Sequence, residues 1–582
     1  MLQQLIDHLQ SDTLRVSLPA FAPELVICAT IVLLLLTRMT RLTQRIDSLA
    51  IAFIGTAIAL YLAKPWTYLL AAQAMPVTPI FDGMLQIDTL TVFFRGVLLV
   101  FMLLFLVFTR LSGIPDREDG ADIYSLFLGA TLGMMVMVSA NHLFIVFLGV
   151  EMASVPSYAL AGVLKGRKVS SEAALKYSVY GAGTAGVMLY GISLLAGALG
   201  SLHLPTMVNQ LAELPPDLFA QRQAVLVSGG LMLMVGLAFK LSAVPFHFWC
   251  PDVFEGAAAE VNAFLSIASK AAALALLIRV TVGLGHIPDS SHAEAVNAPA
   301  PVVQSAVLAS SKSPTSAADT IVAVKAVATK AVVQNDAPAD ATPHTHAVPE
   351  PLAKARHFMV GLVSLLAAIT VTFGNLAAYS QTNLKRLLAY STIAHAGYMM
   401  MPVAAAMATI GSNPEVAKES IAAICFYIAV YLFMNLGAFA VVAFMRNEVR
   451  SEELKDYAGL IRRSPGLVVC FSVVMISLLG LPPLSGFAAK LLVFKSLVTD
   501  PQMYVLLVIA GLNTVLSLVY YLRVVKVMTI DPEPENRLPG GFSMLTPAGV
   551  YLAAVTIPVF GLGIWWDTLH EMALAAARQL LS

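Results

Sequence analysis

The feature that most constrains this chain is the recurrence of long apolar runs. Each run is about 18 residues or longer, which is enough for a helix to cross the ~30 Å hydrocarbon core of a bilayer. The runs are continuous rather than alternating, which excludes a transmembrane β-barrel. Only 12% of the 582 residues are charged, against about 25% in soluble domains. The sequence therefore predicts an all-α polytopic membrane protein.

The apolar runs predict about fourteen transmembrane helices. Pro245 interrupts the seventh run, and Pro482 and Pro483 interrupt the twelfth, so these two helices are expected to be broken. The breaks lie an odd number of spans apart and so run in opposite directions, which indicates two inverted five-helix repeats, helices 4–8 and 9–13. The predicted spans are 21–37, 46–63, 88–109, 122–139, 142–164, 174–199, 224–246, 261–284, 357–379, 385–405, 418–445, 466–497, 503–527 and 546–566.

The chain is expected to divide into five regions, of which the third is an insertion. Residues 286–356 contain no Phe, Tyr or Trp and are rich in Ala, Val, Pro, Ser, Thr and Asp, so they cannot bury a core. We expect a disordered outer loop there. The regions are 1–121 with the first three helices, 122–285 as the first repeat, 286–356 as the loop, 357–530 as the second repeat, and 531–582 with helix 14 and a tail.

Positive charges indicate the orientation of the chain. Lysines and arginines are concentrated in the short loops after odd-numbered helices, and loops of this kind stay on the cytoplasmic side. Both termini are therefore expected on the outer side, which is the periplasm in a Gram-negative host. The N-terminal segment lacks a basic region and a small-residue cleavage site, so its apolar part is predicted to be the first transmembrane helix and not a signal peptide.

Five charged residues interrupt the apolar runs: Glu151, Lys176, Lys240, Lys270 and Lys490. Each would cost about 2.5–3.5 kcal/mol at the centre of an inserted helix, so the set must be paired or hydrated inside the bundle. Burial disfavours the charged form of a lysine, and one carboxylate cannot neutralise four lysines. The pattern favours a proton relay. Each lysine is also consistent with a static ion pair or with a side chain that reaches the membrane surface.

Four uncharged or weakly basic polar residues lie near the middle of predicted helices. His395 and Asn435 are candidate members of the relay, His395 a weaker one than the lysines. Tyr427 and Tyr431 lie one turn apart on one helix face. Each of these residues fits a role in helix packing equally well.

No motif in the sequence predicts a redox centre, a metal site or a nucleotide site. The four cysteines contain no CxxC pair and are expected to pack as small apolar residues. No GxGxxG or Walker sequence follows a strand-like segment. The formal net charge is zero, so no nucleic-acid partner is expected. The cysteines are Cys28, Cys250, Cys425 and Cys470.

Six stretches of the chain resemble one known family. They are FLGVEMASVPSYAL, EAALKY, GLAFKLSAVPFHFWCPDVFEGA, AFLSIASKAA, NLKRLLAYSTIAHAGY and GLPPLSGFAAKLLVF, and they fall within residues 88–521. The chain is similar to the antiporter-like subunits of the proton-pumping NADH–quinone oxidoreductase, respiratory complex I. Within this family the chain is most similar to the N-type branch. One reason is Lys490, because M-type subunits typically have a glutamate at the matching position. The PPLSGF motif and the absence of a long C-terminal lateral helix are the others.

The resemblance implies roles for the buried charges. Glu151 and Lys176 match the family's pairing carboxylate and its lysine partner, Lys240 the central lysine, Lys270 the connecting one and Lys490 the terminal one. It also implies that the chain translocates protons, driven by electron transfer from NADH to quinone. FMN, the Fe–S clusters, NADH and quinone are then expected in other subunits and no cofactor in this chain. The expected neighbours are subunits M and K, in a bacterial inner membrane.

The chain departs from the family after helix 7, where it reads EGAAAEV instead of EGAPTPV and so adds Glu260. Two other functions stay open. One is a subunit of an independent cation/proton antiporter or of a membrane-bound hydrogenase, and co-purification with an FMN and Fe–S arm separates it from a complex I subunit. The other is a passive membrane scaffold, in which substitution of Lys240 and Lys490 would leave pumping intact.

Overall fold

The chain forms a bundle of membrane-spanning helices. The computed structural model describes residues 10, 12–40, 46–71, 75–115, 119–164, 166–287, 349–534 and 541–581. Within these residues, twelve helices are long and apolar enough to cross a membrane. The remaining two predicted spans correspond to Leu384–Thr409, which begins with charged residues, and to the helix pair Pro465–Leu479 and Ser485–Val498.

The spans are numbered α1 to α14 in chain order, and the halves of broken spans are a and b. They are α1 Ala22–Met39, α2 Ser48–Ala63, α3 Thr89–Ser112, α4 Gly120–Ser139, α5 Leu143–Ala161, α6 Lys168–Leu199, α7a Pro216–Leu241, α7b Trp249–Gly256, α8 Ala259–Gly285, α9 Glu350–Ala378, α10 Leu384–Thr409, α11 Pro414–Val449, α12a Pro465–Leu479, α12b Ser485–Val498, α13 Tyr504–Thr529 and α14 Pro547–Ile564.

Short elements connect the spans. A two-stranded antiparallel hairpin, β1 Thr78–Ile80 and β2 Leu85–Ile87, lies between α2 and α3. The helix Leu204–Ala212 joins α6 to α7a, and α15, Asp567–Ala577, follows α14. The remaining pieces are the helical turns Thr13–Ser17, Leu18–Ala20, Trp66–Leu70, Leu454–Tyr457, Leu460–Arg462, Pro501–Met503 and Arg578–Leu581.

Several spans begin at a residue whose side chain caps the helix. Asp88 accepts a hydrogen bond from the Thr91 amide at the start of α3. Asn383 accepts from the Lys385 and Arg386 amides at the start of α10. Such side chains satisfy backbone N–H groups that have no partner within the helix, so the starts of these spans are set locally by the sequence.

The predicted breaks in helices 7 and 12 are confirmed. α7a ends at Leu241 and is followed by Ser242 in the left-handed region, with a φ of 57°. α12a ends at Leu479 and is followed by Gly480, with a φ of 90°. The prolines lie in the gaps, where their missing N–H groups cannot continue a helix. The same two spans therefore expose backbone carbonyl oxygens inside the bundle.

The centre of the bundle is occupied by α8 and α11. The apolar part of α8 is buried along its whole length, and that of α11 nearly so, whereas those of α1, α2 and α14 are mostly exposed on the outside of the chain. α8 packs against α3, α4, α7a, α10 and α11. A helix that is apolar all round belongs in such a position, and this one carries Lys270 at its twelfth residue of 27.

Several helices start earlier than the apolar runs predict. α6 begins at Lys168 rather than 174, α7a at Pro216 rather than 224, and α9 at Glu350 rather than 357. Hydropathy detects only the part of a helix that matches lipid, and these helices extend beyond it with polar residues. The last residues of the predicted loop 286–356 are therefore helical. Residues 288–348 of that loop lie outside the described residues.

Candidate functional site

Lys240 occupies the last turn of α7a and is buried. Its Nζ donates a hydrogen bond to Ser154 Oγ on α5, at 2.9 Å. Glu151 lies three residues before Ser154, on the same face of α5, and interacts electrostatically with Lys240. A cation at the C-terminal end of a helix is also stabilised by the helix dipole. The helix break therefore creates a place where an ammonium is tolerated.

The expected pairing of Glu151 with Lys176 is wrong in this structure. Lys176 Nζ lies 2.9 Å from Asp252 Oδ2 and 2.8 Å from Glu172 Oε1, and its side chain is 37% exposed. Asp252 belongs to α7b, and the Tyr177 and Trp249 rings stack 4.3 Å apart beside it. The break in helix 7 brings this half-helix against α6, which sequence spacing cannot reveal.

Lys270 and Lys490 make equivalent contacts at the two breaks. Lys270 Nζ donates to the carbonyl oxygen of Leu241, the last residue of α7a, at 2.7 Å. Lys490 Nζ donates to the carbonyl oxygen of Leu479, the last residue of α12a, at 2.8 Å. Both lysines are buried. Each ammonium therefore caps a helix C-terminus, where the dipole favours a positive charge.

An aromatic ring and a glycine lie next to the Lys490 side chain. Its Nζ lies 4.7 Å from the centre of the Tyr398 ring, which is within the range of a cation–π contact. Gly480 has a φ of 90°, which favours glycine, and a Cβ atom there would lie 2.8 Å from Lys490 Cδ and displace the lysine side chain. The sequence motif GLPPLSGF thus provides both the break and the room for the lysine.

His395 lies in a hydrogen-bonded network next to Lys490. Its Nδ1 is 2.8 Å from the Tyr427 hydroxyl, and its Nε2 is 3.0 Å from the Tyr521 hydroxyl. The Tyr521 hydroxyl is in turn 2.6 Å from Ser391 Oγ. His395 also interacts electrostatically with Lys490. The structure therefore places this histidine in contact with groups that can exchange protons.

Tyr431 and Asn435 lie between the two breaks on α11. The centres of the Tyr431 and His395 rings are 5.2 Å apart. Tyr431 also interacts electrostatically with Cys250 of α7b. Neither side-chain polar atom of Asn435 makes a hydrogen bond of ordinary geometry within the described residues. Buried polar atoms in this situation are usually satisfied by water. The region between Lys270 and His395 is therefore polar enough to be hydrated.

Sequence reasoning missed a set of buried ion pairs. Arg279 and Asp88 are 2.6 Å apart and Arg95 and Glu24 2.7 Å apart, all four nearly inaccessible to solvent. Arg95 and Arg279 interrupt apolar runs just as Lys270 does, so the same criterion detects them. Other pairs lie at or beyond the ends of predicted spans and have at least one partly exposed member: Lys385 with Glu452, Arg386 with Asp252 and Glu255, and Arg446 with Glu260.

Within the described part of the chain, no three His, Cys, Asp or Glu side chains cluster as a metal site requires. The four cysteines are unpaired thiols. The chemistry that these buried side chains can perform is proton exchange among amines, hydroxyls, an imidazole and a carboxylate.

Sequence comparisons relate the chain to one family. The profile described as NADH:quinone oxidoreductase/Mrp antiporter, TM, matches residues 140–309 and 347–517. NADH-quinone oxidoreductase subunit N of Anaeromyxobacter sp. (strain Fw109-5) is 33% identical over 573 residues, which cover 96% of each chain. NADH-quinone oxidoreductase subunit N 2 of Sorangium cellulosum (strain So ce56) is 33% identical over 581 residues, covering 97% of this chain and 98% of that protein.

Structural comparisons agree. A chain of respiratory complex I from Thermus thermophilus with bound Aureothin gives a TM-score of 0.64 at 27% identity, covering 94% of this chain and 97% of that one. A chain of the Mrp complex from Dietzia sp. DQ12-45-1b shares the fold, with a TM-score of 0.71 at 16% identity over 97% and 98% of the two chains. The chain therefore belongs to the NADH:quinone oxidoreductase/Mrp antiporter membrane-subunit family, within its NADH–quinone oxidoreductase subunit N branch.

Proposed function

We propose that this chain translocates protons across the membrane as the N-type subunit of an NADH–quinone oxidoreductase. The observation that supports this most is the nature of the groups that hold Lys240, Lys270 and Lys490. Within the described residues, each amine donates to a neutral oxygen, and no ion pair joins it to a carboxylate. A neutral amine can still donate such a hydrogen bond. Each lysine can therefore gain and lose a proton without losing its position.

The proposed route follows the two breaks. Lys240 directly precedes Leu241, whose carbonyl oxygen holds Lys270, so these two lysines share one break. Tyr431, Asn435 and the His395 network extend from there toward Lys490. In this scheme Glu151 controls the charge of Lys240 from one helix turn below Ser154. Water at the unpartnered polar atoms completes the path.

Lys176 has a different position in the scheme. It is held by two carboxylates and is partly exposed, so it stays charged while the buried lysines exchange protons. We propose that Lys176 positions the half-helix α7b through its ion pair with Asp252. Lys176 then acts on Lys240 indirectly, because α7b follows the break at which Lys240 lies.

Electron transfer is proposed to occur in other subunits. NADH, FMN, Fe–S clusters and quinone would be bound there, and the redox reaction would drive the proton steps in this chain. We propose subunits M and K as neighbours and the bacterial inner membrane as the location, with both termini on the outer side. Co-purification with an FMN and Fe–S arm is the expected result. Purification with antiporter subunits alone would favour an independent antiporter.

The test of the relay is the substitution Lys240→Arg. A guanidinium keeps the charge and the hydrogen bond but stays protonated at physiological pH. In inside-out membrane vesicles that contain the whole complex, we expect NADH-driven proton uptake to be lost at a normal level of assembled protein. Lys354→Arg, on the exposed start of α9, serves as a matched control. Normal proton uptake in Lys240→Arg would show that Lys240 is a fixed charge and contradict the relay.

A further inference from the structure

A cavity of about 350 Å³ opens at the end of the bundle where α10 begins and α11 ends. The positive charges assign this end to the cytoplasmic side. The cavity lies outside the set of lysines described above, and its lining is charged. The lining residues are Arg167, Asn383, Arg446, Arg450, Ser451, Glu452 and Glu453.

The position of Glu452 in this cavity is fixed by backbone pairing. The segment that follows α11 pairs with the segment that precedes α10: the Leu384 amide donates to the Glu452 carbonyl at 2.9 Å, and the Leu454 amide donates to the Thr382 carbonyl at 2.8 Å. Glu452 therefore lies over the first turn of α10. That turn carries Lys385 at its second residue.

Lys385 lies behind the lining of the cavity, in contact with the lining residue Glu452. Its side chain is 1% exposed, and its Nζ is 2.9 Å from Glu452 Oε1 and 2.9 Å from the carbonyl oxygen of Ala257. The N-terminal end of a helix disfavours a cation, and the charges of Arg167 and Arg446 also act on Lys385. Arg446 is itself paired with Glu260 in a bidentate contact. Behind the cavity lining, a buried ammonium thus links a partly exposed carboxylate to the interior.

A polar stripe leads from this contact to Lys270. Ala257 precedes α8, and Asn262, Ser266 and Lys270 follow at intervals of four residues, so they lie on one face, one turn apart. All three are buried. Eight residues of helix span about 12 Å, so two turns separate Asn262 from Lys270.

A polar atom without a direct partner lies near each end of the stripe. Asn262 Nδ2 donates to the Phe254 carbonyl oxygen, but Asn262 Oδ1 and, beside Lys270, Ser269 Oγ have no hydrogen-bond partner within the described residues. Buried polar atoms of this kind are normally satisfied by ordered water. The two atoms lie near the two ends of the stripe, which is where a connecting chain of water needs acceptors.

We propose that Lys385 is the cytoplasmic entry residue of the proton relay, loaded through Glu452 and discharging along the Asn262–Ser266 stripe to Lys270. In each transfer the Glu452 carboxylate first takes up a proton from the cytoplasm, which removes the negative charge beside the Lys385 ammonium. The ammonium then loses one proton, which the Lys270 amine gains through intervening water. The Lys385 amine finally takes the proton from the Glu452 carboxyl group, which restores the ion pair. This inference rests on the proposed function, since it adds an entry step to the same relay.

The alternative is that Lys385 is only a structural clamp between Glu452 and Ala257. Lys385→Arg separates the two roles, because arginine can keep both contacts but cannot release a proton. We expect this variant to assemble and to lose at least about tenfold in NADH-driven proton uptake in inside-out vesicles of the whole complex. Lys455→Arg, exposed on the same cytoplasmic segment, is the control. Parental uptake in Lys385→Arg would overturn the proposal.

The water path has a test that does not depend on pumping. Ag⁺ reacts with thiols and reaches them only through water. We expect Ag⁺ added to the cytoplasmic face to protect Ser266→Cys from later alkylation at least about tenfold faster than Ala268→Cys, each cysteine being quantified by mass spectrometry. Ala268 is equally buried and lies on the opposite face of α8. Equal protection of the two cysteines would overturn the path.

The two proposals fail in different ways. Uptake that survives Lys240→Arg contradicts the relay itself, while the Ag⁺ measurement still reports on the path. Uptake that is lost in Lys240→Arg but survives Lys385→Arg contradicts the entry residue alone.

Discussion

Lys240, Lys270 and Lys490 each rest against an oxygen that carries no full charge. A carboxylate partner favours the ammonium strongly and makes proton release costly, unless the carboxylate is first protonated, as proposed for Glu452 beside Lys385. A hydroxyl or a carbonyl oxygen favours it less, and the helix C-terminus supplies only a fraction of a unit charge. Lys176 shows the contrast, since it is paired with two carboxylates. In the proposed relay, lysines of one chain thus serve two purposes, according to the groups that face them.

This contrast leads to a prediction for Lys176→Met and Glu151→Gln. Partly exposed ion pairs contribute about 0.2–1 kcal/mol each, and Arg386 still holds Asp252 after Lys176 is replaced. We expect Lys176→Met to slow NADH-driven proton uptake by roughly fivefold or less, since 1.4 kcal/mol corresponds to tenfold. Glu151→Gln removes the carboxylate that acts on Lys240, so it should slow proton uptake more than Lys176→Met does. The initial uptake rate of vesicles with matched protein levels measures both.

The opposite order of the two effects would contradict this assignment. A stronger defect in Lys176→Met than in Glu151→Gln would indicate that Lys176 itself carries protons. Glu172→Gln, which removes only the more exposed partner of Lys176, is the control and should pump at nearly the parental rate.

At the scale of elements, buried ion pairs connect helices that hydropathy treats as independent. Asp88 caps α3 and also accepts from Arg279 of α8 at 2.6 Å. Arg279 donates further to the Val138 carbonyl oxygen at the end of α4. Three helices therefore meet at one guanidinium on the side opposite to the cavity at the start of α10. The central helix that carries Lys270 is held at both ends by charge.

The Asp88–Arg279 pair allows a stability prediction. Removing one member of a buried pair typically costs about 3–5 kcal/mol, because the other charge stays buried without a partner. We expect Arg279→Gln to lower the thermal stability of the complex sharply, and Asp88→Asn with Arg279→Gln to recover part of the loss. Arg222→Gln, at the more exposed start of α7a, is the comparison. A double variant no more stable than the single one would show that the pair is not the cause.

The sequence predicted the spans and both breaks because these depend on local properties. Long apolar runs, Pro245, Pro482, Pro483 and the flanking glycines act within a few residues of where they stand. The partner of Lys176 could not be predicted, because it depends on the rotation of α7b against α6. The carbonyl acceptors of Lys270 and Lys490 could not be predicted either, because every residue type carries the same backbone carbonyl oxygen. Lys385 stood at the first residue of a predicted span, but its contact with Glu452 depends on the pairing of segments far apart in the sequence.

At the scale of the whole molecule, the proposed carriers lie at one depth. Lys270 is the twelfth of 27 residues in α8, and His395 is the twelfth of 26 in α10. Lys240 directly precedes Leu241, whose carbonyl oxygen accepts from Lys270, and Lys490 donates to the carbonyl oxygen at the end of α12a. The route therefore crosses the bundle laterally through its middle, between the two broken helices, and the vertical steps are confined to its entry and its exit.

The common depth of the carriers has an electrical consequence. A unit charge that crosses the full membrane potential exchanges about 2.3 kcal/mol per 100 mV, but a charge that moves parallel to the membrane plane exchanges almost none. We expect the membrane potential to act on entry and exit alone. Entry to mid-depth corresponds to about 1.2 kcal/mol per 100 mV, or nearly one tenfold change in equilibrium occupancy. With the complex in vesicles clamped by potassium gradients and valinomycin, Lys385→Arg should lose the voltage dependence of proton loading, whereas His395→Gln should slow transfer by a factor that is the same at every voltage. A voltage-dependent effect of His395→Gln would mean that the lateral path is tilted across the field.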